Sequence, residues 1–86
     1  MAWVYILYST RLDRYYVGST PNIEQRVREH NRGMTPSTST GHPWSCVFTH
    51  QTENLIEARR VEYRIKKWKS RSLIERVVQD QILRIG

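Results

Sequence analysis

At 86 residues the chain is one small domain, near the lower range of sequences that fold alone. A hydrophobic share of 38% fills one modest core and leaves none for a second, and no run of about 18 apolar residues is present to span a membrane. A net charge of +6 points to an anionic partner, nucleic acid first and an anionic membrane surface second.

The charge is not evenly spread. Seven of the 14 Lys and Arg residues lie between Arg59 and Arg71, with one acid, Glu62, among them. An indifferent solvated surface needs no such clustering. The opening Met1-Ala2-Trp3 leads directly into a strand pattern, without the charged and apolar regions of a signal peptide. Cys46 is the only cysteine, so no internal disulfide forms, and a reducing cytoplasm is the expected location.

Ala2 to Ser9 alternates as a strand, with Trp3, Tyr5 and Leu7 on one face and Val4, Ile6 and Tyr8 on the other. Large groups on both faces predict a central, buried strand. A short turn over residues 10–13 and the β-forming run Arg14 to Ser19 complete an antiparallel hairpin. Gly18 inside the second strand marks a bulge or a close backbone approach. Thr20 as N-cap and Pro21 at the first helical position open a helix to about Asn31, closed by Gly33 in a left-handed cap.

Met34 to Pro43, rich in Ser, Thr, Gly and Pro, reads as a mobile loop. Trp44 to His50 reads as a third strand with Trp44, Cys46, Phe48 and His50 on one face. Asn54-Leu55-Ile56-Glu57 and Ser72-Leu73-Ile74-Glu75 match capping boxes that open a second and a third helix, the last running to about Arg84. The order is ββαβαα. It predicts a single α/β (α+β) domain over 1–86, core about 2–78, with a three-stranded, mostly antiparallel sheet flanked by about three helices.

On the second helix, Leu55, Ala58, Val61, Ile65 and Trp68 form an apolar stripe, and Glu62 lies inside it, about 40° from Ala58 at 100° per residue. A carboxylate there is costly unless a cation or a cleft receives it. The remaining chemistry is sparse. One Cys and three scattered His give no zinc spacing, and there is no Gly-rich phosphate loop or nucleophile elbow. No carboxylate pair suggests a two-metal site. A metal held here takes one carboxylate, best supplied by Glu62, with water and substrate phosphate completing an Mg²⁺ shell. Tyr5, Tyr8, Tyr15 and Tyr16 fill a strand core or offer hydroxyls that need partners. Arg26 is a solvated helix charge or a bidentate phosphate grip. Trp44 and Trp68 are core or an exposed stacking surface.

Val4-Tyr5, followed after a turn by Tyr16-Val17-Gly18, resembles the paired motifs of the GIY-YIG nuclease domain. Arg26, His30 one turn later, and Glu62 in a later helix follow in that family's order. His30-Asn31-Arg32-Gly33 and the segment from Glu62 to Trp68, EYRIKKW, are similar to the small stand-alone bacterial UPF0213 group. The likeness covers about residues 2 to 78. Two positions depart from the family's pattern, WVY standing for GIY and YVG for YIG, and both keep the tyrosines and Gly18.

The resemblance implies a nuclease that hydrolyses nucleic acid, with DNA the first expectation, using one Mg²⁺ or Mn²⁺. It implies Glu62 as metal ligand and Arg26 as contact to the scissile phosphate. It makes Tyr5 the base or the group that orients the water. Tyr16 shapes the site, and His30 bonds a tyrosine or the water. Arg59, Arg60, Lys66, Lys67, Lys69 and Arg71 are expected to hold the phosphate backbone. Two other readings stand beside it: a nucleic-acid-binding module with little catalysis, and a subunit whose target another protein chooses.

Overall fold

The computed structural model describes residues 1–83, apart from the side chain of Ser37. Its elements are β1 (Ala2–Ser9), β2 (Arg14–Thr20), α1 (Ile23–Asn31), a 3-10 turn (Pro36–Thr38), β3 (Ser45–Thr52), α2 (Leu55–Lys67) and α3 (Arg71–Asp80). The order is ββαβαα and the sheet is antiparallel throughout, as expected, with strand order β2-β1-β3. No helix among the described residues is long and apolar enough to cross a membrane.

The two-residue period of β1 sorts its side chains onto two packed faces. Ala2, Val4 and Ile6 join Val17, Phe48, Ala58, Ile65 and Val77 beneath α2 and α3. Tyr5 and Leu7 point the other way and pack with Trp44, Tyr16, Ile23 and Val27 against α1. Val4, Ile6, Leu7 and Ile65 are each 0% exposed. Burying one such side chain contributes about 1.5–3 kcal/mol before chain entropy is set against it.

The third strand departs from simple alternation. Ile6 pairs with Phe48 but Leu7 pairs with Cys46, so Val47 is an extra residue in a β-bulge. The bulge inverts the faces on either side of it. Phe48 and His50 share the α2 side, whereas Trp44 and Cys46 take the α1 side, instead of all four lying together. Trp44 is thereby core, 5% exposed, with its indole N–H donating to the Thr38 carbonyl at 2.8 Å. Trp68 packs half-buried against the opposite cluster.

Helix ends also shift. Asn22, not Thr20, caps α1: its side chain accepts from the Gln25 N–H at 3.1 Å, and Thr20 Oγ1 accepts from the Asn22 N–H at 3.1 Å. Asn is the stronger cap, and Pro21, lacking an N–H, fits before it at no cost. Gly33 takes the predicted left-handed conformation, φ 73°, with its N–H bonding the His30 carbonyl and the Met34 N–H the Glu29 carbonyl. Asn54 caps α2 as expected, accepting from the Glu57 N–H at 2.9 Å. Ser70 rather than Ser72 caps α3, accepting from the Leu73 N–H at 3.3 Å. That helix stops at Asp80, where Gln81 turns left-handed; Arg84 lies outside the described residues.

Candidate active site

Hairpin register places the motif residues. Tyr5 lies opposite Gly18 and Leu7 opposite Tyr16, so Tyr5 and Tyr16 are diagonal neighbours, ring centroids 6.4 Å apart. The Tyr5 ring crosses directly over Gly18. A Cβ there would fall on the Tyr5 hydroxyl and 2.5 Å from Cζ. Gly18 is thus the close approach that the sequence suggests. Because Tyr5 is 1% exposed, it has little room to retreat. Gly18→Ala is expected to cost about 1–3 kcal/mol by overpacking. Thermal denaturation should record this as a midpoint lowered by about 5–20 °C; an unchanged midpoint contradicts the packing.

Helix α1 delivers His30 to the Tyr5 hydroxyl, and both side chains are buried. His30 Nε2 lies 3.0 Å from Tyr5 Oη, and Nδ1 lies 2.7 Å from Thr38 Oγ1. The Thr38 hydroxyl also reaches the Thr35 carbonyl at 3.3 Å. With its proton given there, it accepts from His30 Nδ1–H. We assign that tautomer, in which Nε2 is bare and accepts from the Tyr5 hydroxyl.

Nothing in the sequence singles out Thr38. It lies in the Ser/Thr segment, which is tied down rather than loose. Ser9 Oγ donates to the Gly41 carbonyl at 2.6 Å, and Asn31 holds the Trp44 backbone through both its N–H and its carbonyl.

Burial, with the Arg26 charge second, lowers the His30 pKa below its usual value and keeps the ring neutral. The unfolded chain, with an ordinary imidazole near 6.5, binds the proton first as pH falls. Its contribution to stability is therefore complete above about 6.5 and lost below it. His30→Gln should flatten the stability–pH slope between pH 6.5 and the acid limb, measured by urea denaturation against wild type.

The same burial pushes the Tyr5 phenol up to about 12, with Arg26 holding it back and the charges of Tyr16 and Glu62 adding to the rise. Arg26 stands beside that hydroxyl, and its guanidinium bonds Glu29 at 3.0 Å. Tyr5, Tyr16, Arg26 and His30 are thus gathered on the α1 side of the sheet. Glu62 stands across edge strand β2 from the group, close enough for its charge to act on Tyr5 but bonded to none of the four. Ser19 donates to its Oε1 at 2.5 Å and Lys66 Nζ meets its Oε2 at 2.6 Å. Lys66 is the cation that the misplaced carboxylate requires, and Ser19 adds a neutral donor. An adjacent groove of about 330 Å³ is lined by Ser19, Arg26, Glu29 and Arg59, joining the Glu62 and Arg26 sides.

The expected backbone-binding residues separate. Arg59 and Lys66 lie on the Glu62 flank of α2. Lys66 also sits 5.7 Å over the Tyr16 ring. Lys69 and Arg71 line a second groove beside β2. Arg60, paired with Glu57, and Lys67, over the Tyr63 ring, lie on the opposite, outward face of α2. Among the described residues no group of three His, Cys, Asp or Glu could hold a metal. Glu62 with the Ser19 hydroxyl forms a hard oxygen pair that suits Mg²⁺ or Mn²⁺ when water and phosphate oxygens supply the rest. The half-exposed Lys66 ammonium would have to move aside.

A three-stranded antiparallel sheet with paired tyrosines on its hairpin, and Arg, His and Glu converging on them, defines a class of domain. The chain belongs to the GIY-YIG family: residues 1–75 match the GIY-YIG catalytic domain. It is 38% identical over 68 residues to a UPF0213 protein of Clostridium perfringens, covering 78% of this chain and 72% of that one. A UPF0213 protein of Natronomonas pharaonis is 35% identical over 80 residues, 92% of each chain. A structure-specific endonuclease subunit SLX1 homolog of Drosophila pseudoobscura is 40% identical over 70 residues, 70% of this chain but 24% of that relative. No solved structure matches.

Proposed function

We propose that residues 1–86 act as one GIY-YIG-type endonuclease domain, hydrolysing phosphodiester bonds of nucleic acid in the cytoplasm, with DNA the substrate to test first. The observation that carries this reading is the directed chain Tyr5–His30–Thr38 beside Arg26, with Glu62 brought to the same edge of β2.

Arg26 binds the scissile phosphate and stabilises charge on its non-bridging oxygens. Tyr5 accepts the proton of the attacking water as it passes its own to His30 Nε2, and Thr38 keeps that nitrogen bare. Tyr16 walls the site and Ser19 orients Glu62. Glu62 would hold one Mg²⁺ or Mn²⁺, which supplies charge neutralisation at the phosphate and the leaving oxygen. Arg59, Lys66, Lys69 and Arg71 hold flanking phosphates by charge, whereas Arg60 and Lys67 face away from the site. The test is cleavage of single-stranded, duplex and branched DNA with Mg²⁺, wild type against Glu62→Ala.

One observation favours a second reading. Both Glu62 oxygens are engaged, by Ser19 and Lys66. A chain that keeps them engaged is a nucleic-acid-binding module with little catalysis. Salt-dependent DNA binding without cleavage under any divalent ion would establish it. The relationship to a protein described as an endonuclease subunit adds a third: activity directed by a protein partner, to be sought by isolating the chain from cells with a stable companion.

A further inference from the structure

A second groove, of about 420 Å³, opens between β2 and the joint of α2 with α3. Its size falls within the range of small-molecule sites. The floor is apolar and aromatic. Val17 and Ile65 are 6% and 0% exposed, and Tyr15 and Ile74 are half-buried above them. The rim is cationic, and no acidic residue lines it.

Two of the rim cations are already committed. Arg71 is held by Asp13 at 2.6 Å and Glu75 at 3.2 Å, and its guanidinium lies 5.3 Å over the Tyr15 ring, fixing that wall. Lys66 is paired with Glu62. Arg14 and Lys69 have no carboxylate partner among the described residues. Lys69 is also held at φ 48°, the left-handed region that a lysine enters at a cost. The short turn between α2 and α3 accepts that strain and sets the Lys69 position at the groove's lip.

An apolar floor is wasted on a bare phosphate, and two unpaired cations are wasted on an apolar ligand. An occupant with a flat face and an anionic group satisfies both. The groove also begins where the catalytic wall ends. Tyr16 lines it while its ring centroid lies 5.0 Å from that of His30. We propose that this groove holds one nucleotide of the substrate strand next to the scissile phosphate, base against Tyr15 and Ile74, phosphate between Arg14 and Lys69. That the nucleotide belongs to a substrate rests on the nuclease reading. The groove's preference for a base joined to a phosphate does not.

The test is an amide NMR titration of the full chain without metal, using thymidine 5′-monophosphate and, separately, inorganic phosphate. The nucleotide should give saturable shifts at Tyr15, Val17, Ile74 and Lys69, and inorganic phosphate should not. Lys69→Gly suits the left-handed backbone and so preserves the fold; it should weaken nucleotide binding about fivefold. Equal shifts from both ligands would reduce the groove to a cation patch. Shifts confined to Arg26 and Tyr5, an unchanged affinity in Lys69→Gly, or no saturable shift at millimolar nucleotide would each overturn the proposal. The titration needs no cleavage. If wild type cuts no DNA with any divalent ion while the nucleotide still titrates here, the nuclease reading falls and the groove stands.

Discussion

Glu62→Ala is expected to abolish Mg²⁺-dependent cleavage, and Arg26→Ala to lower it by about a hundred- to a thousandfold, in the same assay. The charge developing on phosphate oxygens has two ways of being met here. On the proposed mechanism Arg26 meets it directly, and loss of one preorganised donor of this kind costs roughly 10²–10³ in rate. Among the described residues Glu62 is the acid whose charge acts on Tyr5, and Glu29 is already paired with Arg26, so no neighbour replaces it as ligand. Both side chains are partly exposed, at 36% for Arg26 and 19% for Glu62. Their substitution should therefore change stability by no more than about 1 kcal/mol. Melting curves close to wild type, beside a lost activity, separate catalysis from folding. Glu62→Gln refines the result: an amide can still accept from Ser19 but carries no charge, so cleavage should be lost as fully as in the alanine variant. Wild-type cleavage in both alanine variants would return Glu62 to a structural ion pair with Lys66.

Periodicity alone exposes Glu62, because a carboxylate on an apolar stripe conflicts with the helix that carries it. Gly18 was legible for the same reason, being a residue that weakens a strand unless something needs its bare backbone. The residues that escaped notice are those whose roles depend on contacts across the fold. Any hydroxyl among Thr35, Ser37, Thr38, Ser39 and Thr40 had an equal claim on His30, and only the path of the 3-10 turn selects Thr38. Ser19 looked like an ordinary strand residue until α2 packed across β2. The bulge at Val47 carries no Gly or Pro to announce it, so simple alternation puts Trp44 on the same face as Phe48. The starts of α1 and α3 each differ from expectation by two residues because neighbouring Thr, Asn and Ser side chains compete for the same cap.

The order of proton transfer gives the other large effect. Tyr5→Phe removes the hydroxyl and should lower cleavage by about a hundredfold or more. The pH profile then shows how that hydroxyl works. With the phenol pushed up to about 12, roughly one molecule in a hundred thousand is ionised at pH 7. A preformed phenolate would make the rate climb about tenfold per pH unit through neutral and alkaline pH. A relay behaves differently. Tyr5 stays neutral and hands its proton to His30 Nε2 in the act of taking one from water, so the rate follows neutral His30. Burial already holds that imidazole below 6.5, so the rate should be level from about 6.5 upward and fall in acid. Thr38→Val tests the same geometry from its far end. Valine keeps the shape but cannot accept from Nδ1–H, leaving a buried donor unsatisfied at about 1–3 kcal/mol. The ring is then free to take the other tautomer, which offers Tyr5 a donor where an acceptor is needed. Cleavage should fall about ten- to a hundredfold, while DNA affinity, set by the Lys and Arg residues, stays as in wild type. A wild-type rate still climbing tenfold per unit above pH 8 would replace the relay with a phenolate base, and Thr38→Val would then be silent.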